Sequence, residues 1–111
     1  MPASDLAGLV TQFTRYKNTG MAPSHFGRDA PYSWPDAVQK ADMHHLHLGQ
    51  WSLRVLQYRR TSNTHVVYCR GFKSKGNYLL IAVIDYAHER ADKTTFMLEL
   101  AEIAERFREK F

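Results

Sequence analysis

Apolar residues recur every three or four positions from residue 4 to 19. Leu6, Leu9, Val10, Phe13 and Tyr16 fall on one side of a helix. Ser4 suits its N-cap and Gly20 its C′ stop, with Pro23 just beyond. Residues 20–34, rich in Gly, Pro, His and Ser, read as an ordered loop. Pro35 would open a short helix to Lys40, capped by Trp34 or Ser33. The pattern then shortens to strand character at Met43–Leu48, Leu53–Arg60, His65–Phe72 and Tyr78–Asp85. Gly49-Gln50, Thr61–Thr64 and Ser74–Asn77 separate them with turn residues. Links this short predict an antiparallel meander. The run LLIAVI is almost wholly apolar, which predicts a strand covered on both faces, central or under a helix. A last helix, Lys93–Lys110, carries Phe96, Leu100, Ile103 and Phe107 as a stripe that Phe111 extends, with Asp92 as N-cap. These elements predict an α+β fold. It is a single small domain over residues 1–111, a four-stranded antiparallel sheet with N-terminal helices and a C-terminal helix packed on it.

Charge changes the picture in the middle of the chain. The net charge is +4. Arg54, Arg59, Arg60, Arg70, Lys73 and Lys75 lie within residues 51–80, where there is no acid at all. Such a stretch is the footprint of a polyanion partner. The charge alone does not separate RNA, DNA, an acidic protein or a lipid surface; for an RNA partner, Arg54, Arg59, Arg70, Lys73 and Lys75 are the binding candidates. Trp51, Tyr58, Tyr68, Tyr78 and Tyr86 are interspersed and could stack unpaired bases. One cysteine, Cys69, excludes an intrachain disulfide and sits in an apolar strand as an inert core residue. No apolar run reaches membrane-helix length and no basic–apolar leader opens the chain, so a cytoplasmic protein without a membrane partner is expected.

The histidines carry the candidate chemistry. His45 and His47, two apart on a strand, share a face, and His44 points the other way. Such a pair binds zinc only with further ligands, of which His65 or His88 could be one. With no HExxH or CxxC pattern, neither a metal nor a cofactor is expected. His25 helps to order its loop. Metal-free RNA cleavage needs three devices: a base for the 2′-hydroxyl, cations at the phosphorus, and an acid for the leaving 5′-oxygen. Arg60, His65, Tyr68, Arg70 and His88 offer the side-chain types. No GxSxG, GxxxxGK[ST] or GxGxxG occurs, so nucleotide-dependent chemistry has no support.

FTRYKNTG (13–20), PSHFGRDAPY (23–32), Trp34-Pro35, HLHL (45–48), Arg60-Thr61, HVVYCRG (65–71), LLIAVI (79–84), His88 and AERFREKF (104–111) follow in order along nearly the whole chain. In these segments the sequence resembles the YafO-type toxins of bacterial type II toxin–antitoxin modules, grouped with the RelE-like toxins. The resemblance implies a RelE-like architecture of helices on a small antiparallel sheet. It also implies an endoribonuclease, a ribosome-dependent mRNA interferase that halts translation. Its partners would be mRNA on the ribosome, the large subunit included, and a cognate antitoxin. The matching polar positions that fit the catalytic roles are Arg60, His65 and His88, followed by His47 and Tyr68. The alternative is a non-catalytic ribosome- or RNA-binding translation inhibitor. DNA binding by the toxin alone is not expected, because the chain shows no helix-turn-helix and its last helix is acidic. Two features bear on the match. The link from HLHL to the next strand, Gly49 to about Ser52, is shorter than expected of relatives. Within FGRDA, Arg28 and Asp29 read as a pair that pins the loop.

Overall fold

The three–four spacing near the N-terminus gives α1 (Ala3–Thr19), with Ser4 inside the helix rather than ahead of it. Helix α1 ends where glycine permits. Gly20 adopts φ +75° and its N–H donates to the Tyr16 carbonyl at 2.7 Å. The computed structural model describes residues 3–91 and 93–111. After α1 come β1 (Phe26–Pro31), α2 (Asp36–Lys40), β2 (Met43–Leu48), a 3₁₀ turn (Gln57–Arg59), β3 (Thr64–Arg70), β4 (Tyr78–Ile84), α3 (Ala87–Ala91) and α4 (Thr94–Lys110). The sheet is a four-stranded antiparallel meander in the order β1-β2-β3-β4.

The topology and strand number agree with the sequence reading, but one strand differs. Residues 53–60 form no strand. They make an exposed loop around the 3₁₀ turn, with Leu53 81%, Leu56 61% and Tyr58 58% exposed. The first strand is β1, inside the segment read as a loop, and residues 49–63 make one long connection. Pro35 occupies the N-cap of α2 rather than N1. Strand β4 lies at an edge with its two faces packed under helices, the second of the two places the sequence allowed, and all but its last residue are half-buried. The N-cap role read for Asp92 falls outside the described residues.

Strand alternation divides the core in two. Leu9 and Phe13 of α1 pack on Phe26, Leu46, Val66 and Tyr68. On the opposite face, α2, α3 and α4 cover Met43, Val67, Cys69 and Ile84. Helix α4 buries Met97, Leu100, Ala101 and Ala104, so its inner face is turned from the expected stripe and Ile103 is 44% exposed. Burial pushes the Cys69 thiol up to about 11, in keeping with an inert core position.

The α1 face also holds a polar cluster. Tyr68 Oη donates to Asp29 Oδ1 at 2.6 Å, and Lys17 Nζ donates to Asp29 Oδ2 at 2.8 Å and to Tyr68 Oη at 2.7 Å. Tyr16 Oη adds a bond to Asp29 Oδ2, and Gln57 Nε2 ties the long connection to Tyr16 Oη and to the Gly27 carbonyl. Burial raises the Asp29 pKa, but the bonds from Lys17, Tyr68 and Tyr16 outweigh it and hold the carboxyl below its ordinary value. Asp29 therefore pairs with Lys17 across to α1, not with Arg28 as the sequence suggested.

Candidate active site

The face opposite α1 carries the histidines. His45 and His47 share the side of β2 that Met43 occupies, and His65 shares that of Val67 on β3. In the β2–β3 register His47 stands directly opposite His65. Their ring centroids are 4.0 Å apart, with His45 5.4 Å from His47 and 5.2 Å from His65. His88, from α3, brings an exposed fourth ring 5.5 Å from His65. His44 lies on the other face, stacked on Tyr68 and 3.1 Å from Asp42 Oδ1. His25 lies 2.9 Å from Gln12 Oε1 in the loop after α1.

The segment 61–64 organises this cluster. The Ser62 N–H lies 2.8 Å from His47 Nδ1, and the Ser62 carbonyl lies 2.9 Å from His65 Nε2. Both bonds form together when each ring carries its proton on Nε2, with Ser62 donating to His47 and accepting from His65. His65 Nδ1 is then a bare lone pair, and it and His45 Nδ1 are both buried without a hydrogen-bond partner among the described residues. The neighbouring Asn63 caps α3: its carbonyl accepts the Ala87 N–H and its Oδ1 accepts the His88 N–H. Ser62 and Asn63 read only as turn residues in the sequence, because what they bind comes from distant elements.

Burial keeps the inner rings neutral. His47 and His65 are each only 4% exposed. Burial, followed by the charges of neighbouring imidazoles, lowers His45 and His65 to about 4. His47 is lowered for the same first reason, opposed by the Ser62 carbonyl, which lies 3.0 Å from Nδ1 and would accept from the protonated ring, and assisted by the charges of His88 and Arg28. Near neutrality these rings can each accept or relay a proton. Among the described residues, no group of three or more His, Cys, Asp or Glu side chains is arranged to hold a metal ion.

Of the five residues with expected catalytic roles, His47, His65 and His88 come together. Tyr68 lies on the other face, 1% exposed and bonded to Asp29 and Lys17. Arg60 is committed to backbone carbonyls: Nε donates to Val55 O at 2.8 Å and a terminal nitrogen reaches Phe26 O at 3.5 Å. The basic stretch divides between the two ends of β3. Arg54 and Arg59 are exposed on the long connection before His65, with Arg59 against Tyr58. Arg70 lies at the other end, five residues or about 17 Å along the strand from His65, where it pairs with Asp42 at 3.2 Å. Lys73 and Lys75 follow it in the exposed β3–β4 turn.

Arg28 was missed as a site residue. It is exposed, and among the described residues its guanidinium has no ion pair. Its charge acts on His45 and His47. The FGRDA motif drew attention to it, but adjacency to Asp29 suggested a pair where strand alternation sends the two to opposite faces.

Comparison with known proteins gives the same answer as the motifs. The sequence matches the family described as Toxin YafO, type II toxin-antitoxin system, over residues 14–109. It is 32% identical to the mRNA interferase toxin YafO of Escherichia coli (strain K12), an alignment that covers 100% of this chain and 91% of that protein. No solved structure matches. The chain therefore belongs to the YafO toxin family of type II toxin–antitoxin systems.

Proposed function

We propose that this toxin is an endoribonuclease that cleaves mRNA on the ribosome by metal-free acid–base catalysis and so stops translation. The relative is named an mRNA interferase. The observation that carries the chemistry is the convergence of His47, His65 and His88 on one sheet face, held through residues 62 and 63. In the reaction the RNA 2′-oxygen attacks its own phosphorus and gives its proton to an imidazole. The P–O5′ bond breaks, and the leaving oxygen takes a proton from a second imidazole. The products are a 2′,3′-cyclic phosphate and a 5′-hydroxyl. His88, the exposed ring, meets the RNA, and His65 and His47 stand behind it as proton acceptor and relay.

The protein works in the cytoplasm, docks near the large subunit, and is restrained by a cognate antitoxin encoded beside it. None of its helices among the described residues is long and apolar enough to cross a membrane. Arg54 and Arg59, at the histidine end of β3, guide the RNA backbone. Arg70, Lys73 and Lys75, at the far end, make a separate cationic patch for rRNA or antitoxin.

The burial of His47 and His65 is the observation that favours a non-catalytic inhibitor. Translation of a defined mRNA with purified toxin, followed by primer extension, separates the two. New 5′ ends that disappear with His65→Ala or His88→Ala support cleavage. Blocked translation of intact mRNA overturns it.

A further inference from the structure

An in-line attack on phosphorus builds negative charge that a fixed cation must meet. Arg60 and Arg70, the arginines that the sequence put forward, are already engaged by backbone carbonyls and by Asp42. Arg28 has neither encumbrance, and it reaches the histidine face through a specific distortion of β1. From Phe26 to Asp29 the strand advances three residues, while its partner advances only two, from Leu48 to Leu46. That is a β-bulge, a device that re-aims side chains. Because of it, Phe26 and Asp29 both face α1, and Arg28, next to Asp29, turns to the side of His45 and His47.

The bulge is clamped from behind by Arg60. The Arg28 N–H donates to the Arg60 carbonyl at 2.8 Å, and the Arg60 guanidinium reaches the Phe26 carbonyl on the other side of the bulge. Gly27 makes this approach possible: a Cβ there would collide with the Arg60 carbonyl and crowd the Trp51 ring, 2.8 Å away. Four features of the sequence, Gly27, Arg28, Trp51 and Arg60, thus serve one placement.

We propose that Arg28 is the residue that holds the scissile phosphate, presented to the imidazoles by the Phe26–Asp29 bulge, and that Arg60 is a positioning residue acting through it. The proposal rests on the endoribonuclease reading above. The imidazoles that feel the guanidinium are His45 and His47 on β2, with His65 and His88 beyond them across the cluster and Asp29 on the reverse face. A planar, permanently charged fork suits two phosphate oxygens, which the imidazoles of His47, His65 and His88 alone cannot grip.

The test is cleavage of a translated reporter mRNA under single-turnover conditions with wild type, Arg28→Ala, Arg28→Lys and Arg60→Ala. Arg28→Ala should cut about 100-fold more slowly or worse, at nearly unchanged half-saturation, the loss typical of one transition-state donor. Lysine should recover only a small part. Millimolar guanidinium ion should partly restore Arg28→Ala and leave His65→Ala dead, a rescue that a merely structural arginine would not show. Arg60→Ala should lose thermal stability together with rate. If Arg28→Ala folds poorly, Arg28→Gln gives the same readout. An Arg28 variant that cuts within threefold of wild type, or whose whole loss lies in half-saturation, overturns the proposal. Wild-type toxin that leaves the mRNA uncut overturns the endoribonuclease reading itself.

Discussion

Acid should loosen this fold well before Asp29 and Asp42 protonate. His45 and His65 titrate at about 4 in the folded chain, against 6.5 for the free side chain. Between those values the unfolded chain binds protons that the native cluster refuses, so stability falls as pH falls. The contribution is complete above 6.5 and gone near 4. Each ring alone would withdraw about 2 kcal/mol between pH 7 and pH 5. Part of each shift is repulsion from the other ring, so the pair together withdraws about 3 kcal/mol, a large share of the 5–15 kcal/mol typical of a domain. Asp29 and Asp42 are held below 3.8, so their loss begins only at lower pH. Urea unfolding followed by tryptophan fluorescence at pH 7, 6 and 5 measures the slope. His45→Phe should about halve it, because the new ring can pack on Tyr32, which now lies 4.4 Å from the imidazole. A flat profile between pH 7 and 5, or an unchanged slope in His45→Phe, would refute the neutral histidine cluster.

Other outcomes follow from the same interactions. Tyr68→Phe should cost about 1–3 kcal/mol in urea unfolding, through the lost bonds to Asp29 and Lys17, while the cleavage rate per folded molecule stays put. A large loss of rate at full stability would return Tyr68 to the active site. Lys17→Met should cost roughly 2–3 kcal/mol, since it leaves the Asp29 carboxylate buried without its cation, and the effect should shrink as pH drops below 4. Gly27→Ala should lower stability by about 1–3 kcal/mol through overpacking against the Arg60 carbonyl, read as a lower midpoint at constant m. RNA affinity of the toxin should fall steeply with salt. Arg54→Ala with Arg59→Ala should flatten the log–log slope by about 0.7 for each phosphate no longer neutralised, and an unchanged slope would assign those arginines to a protein partner.

Periodicity exposed the elements whose hydrophobic face is buried, and failed where apolar side chains face water. Helices α1 and α4 were found because Leu9, Phe13 and Leu100 are buried, although α4 turns Met97, Ala101 and Ala104 inward where Ile103 was expected. Leu53, Val55, Leu56 and Tyr58 mimic a strand, yet Leu53, Leu56 and Tyr58 point into solvent. Strand β1 hid because FGRDAP contains Gly and Pro, poor strand formers tolerated at an edge. The all-apolar β4 also sits at an edge; its apolarity reflects helices packed on both faces of the sheet, which a run of hydrophobic letters cannot tell from a central place. The shared face of His45 and His47 was legible from strand alternation. The meeting of His47, His65 and His88 required the β2–β3 register and the placement of α3. Arg28 was hidden by a bulge, since one extra residue reverses which side chains share a face.

The chemistry of the cut ends tests the account most directly. A messenger cleaved by wild-type toxin during translation should carry a 5′-hydroxyl on the downstream fragment, ligatable only after phosphorylation by polynucleotide kinase, and a 2′,3′-cyclic phosphate upstream. Downstream fragments with a 5′-phosphate would mean that water rather than the RNA's own 2′-oxygen attacked, and would contradict the imidazole mechanism.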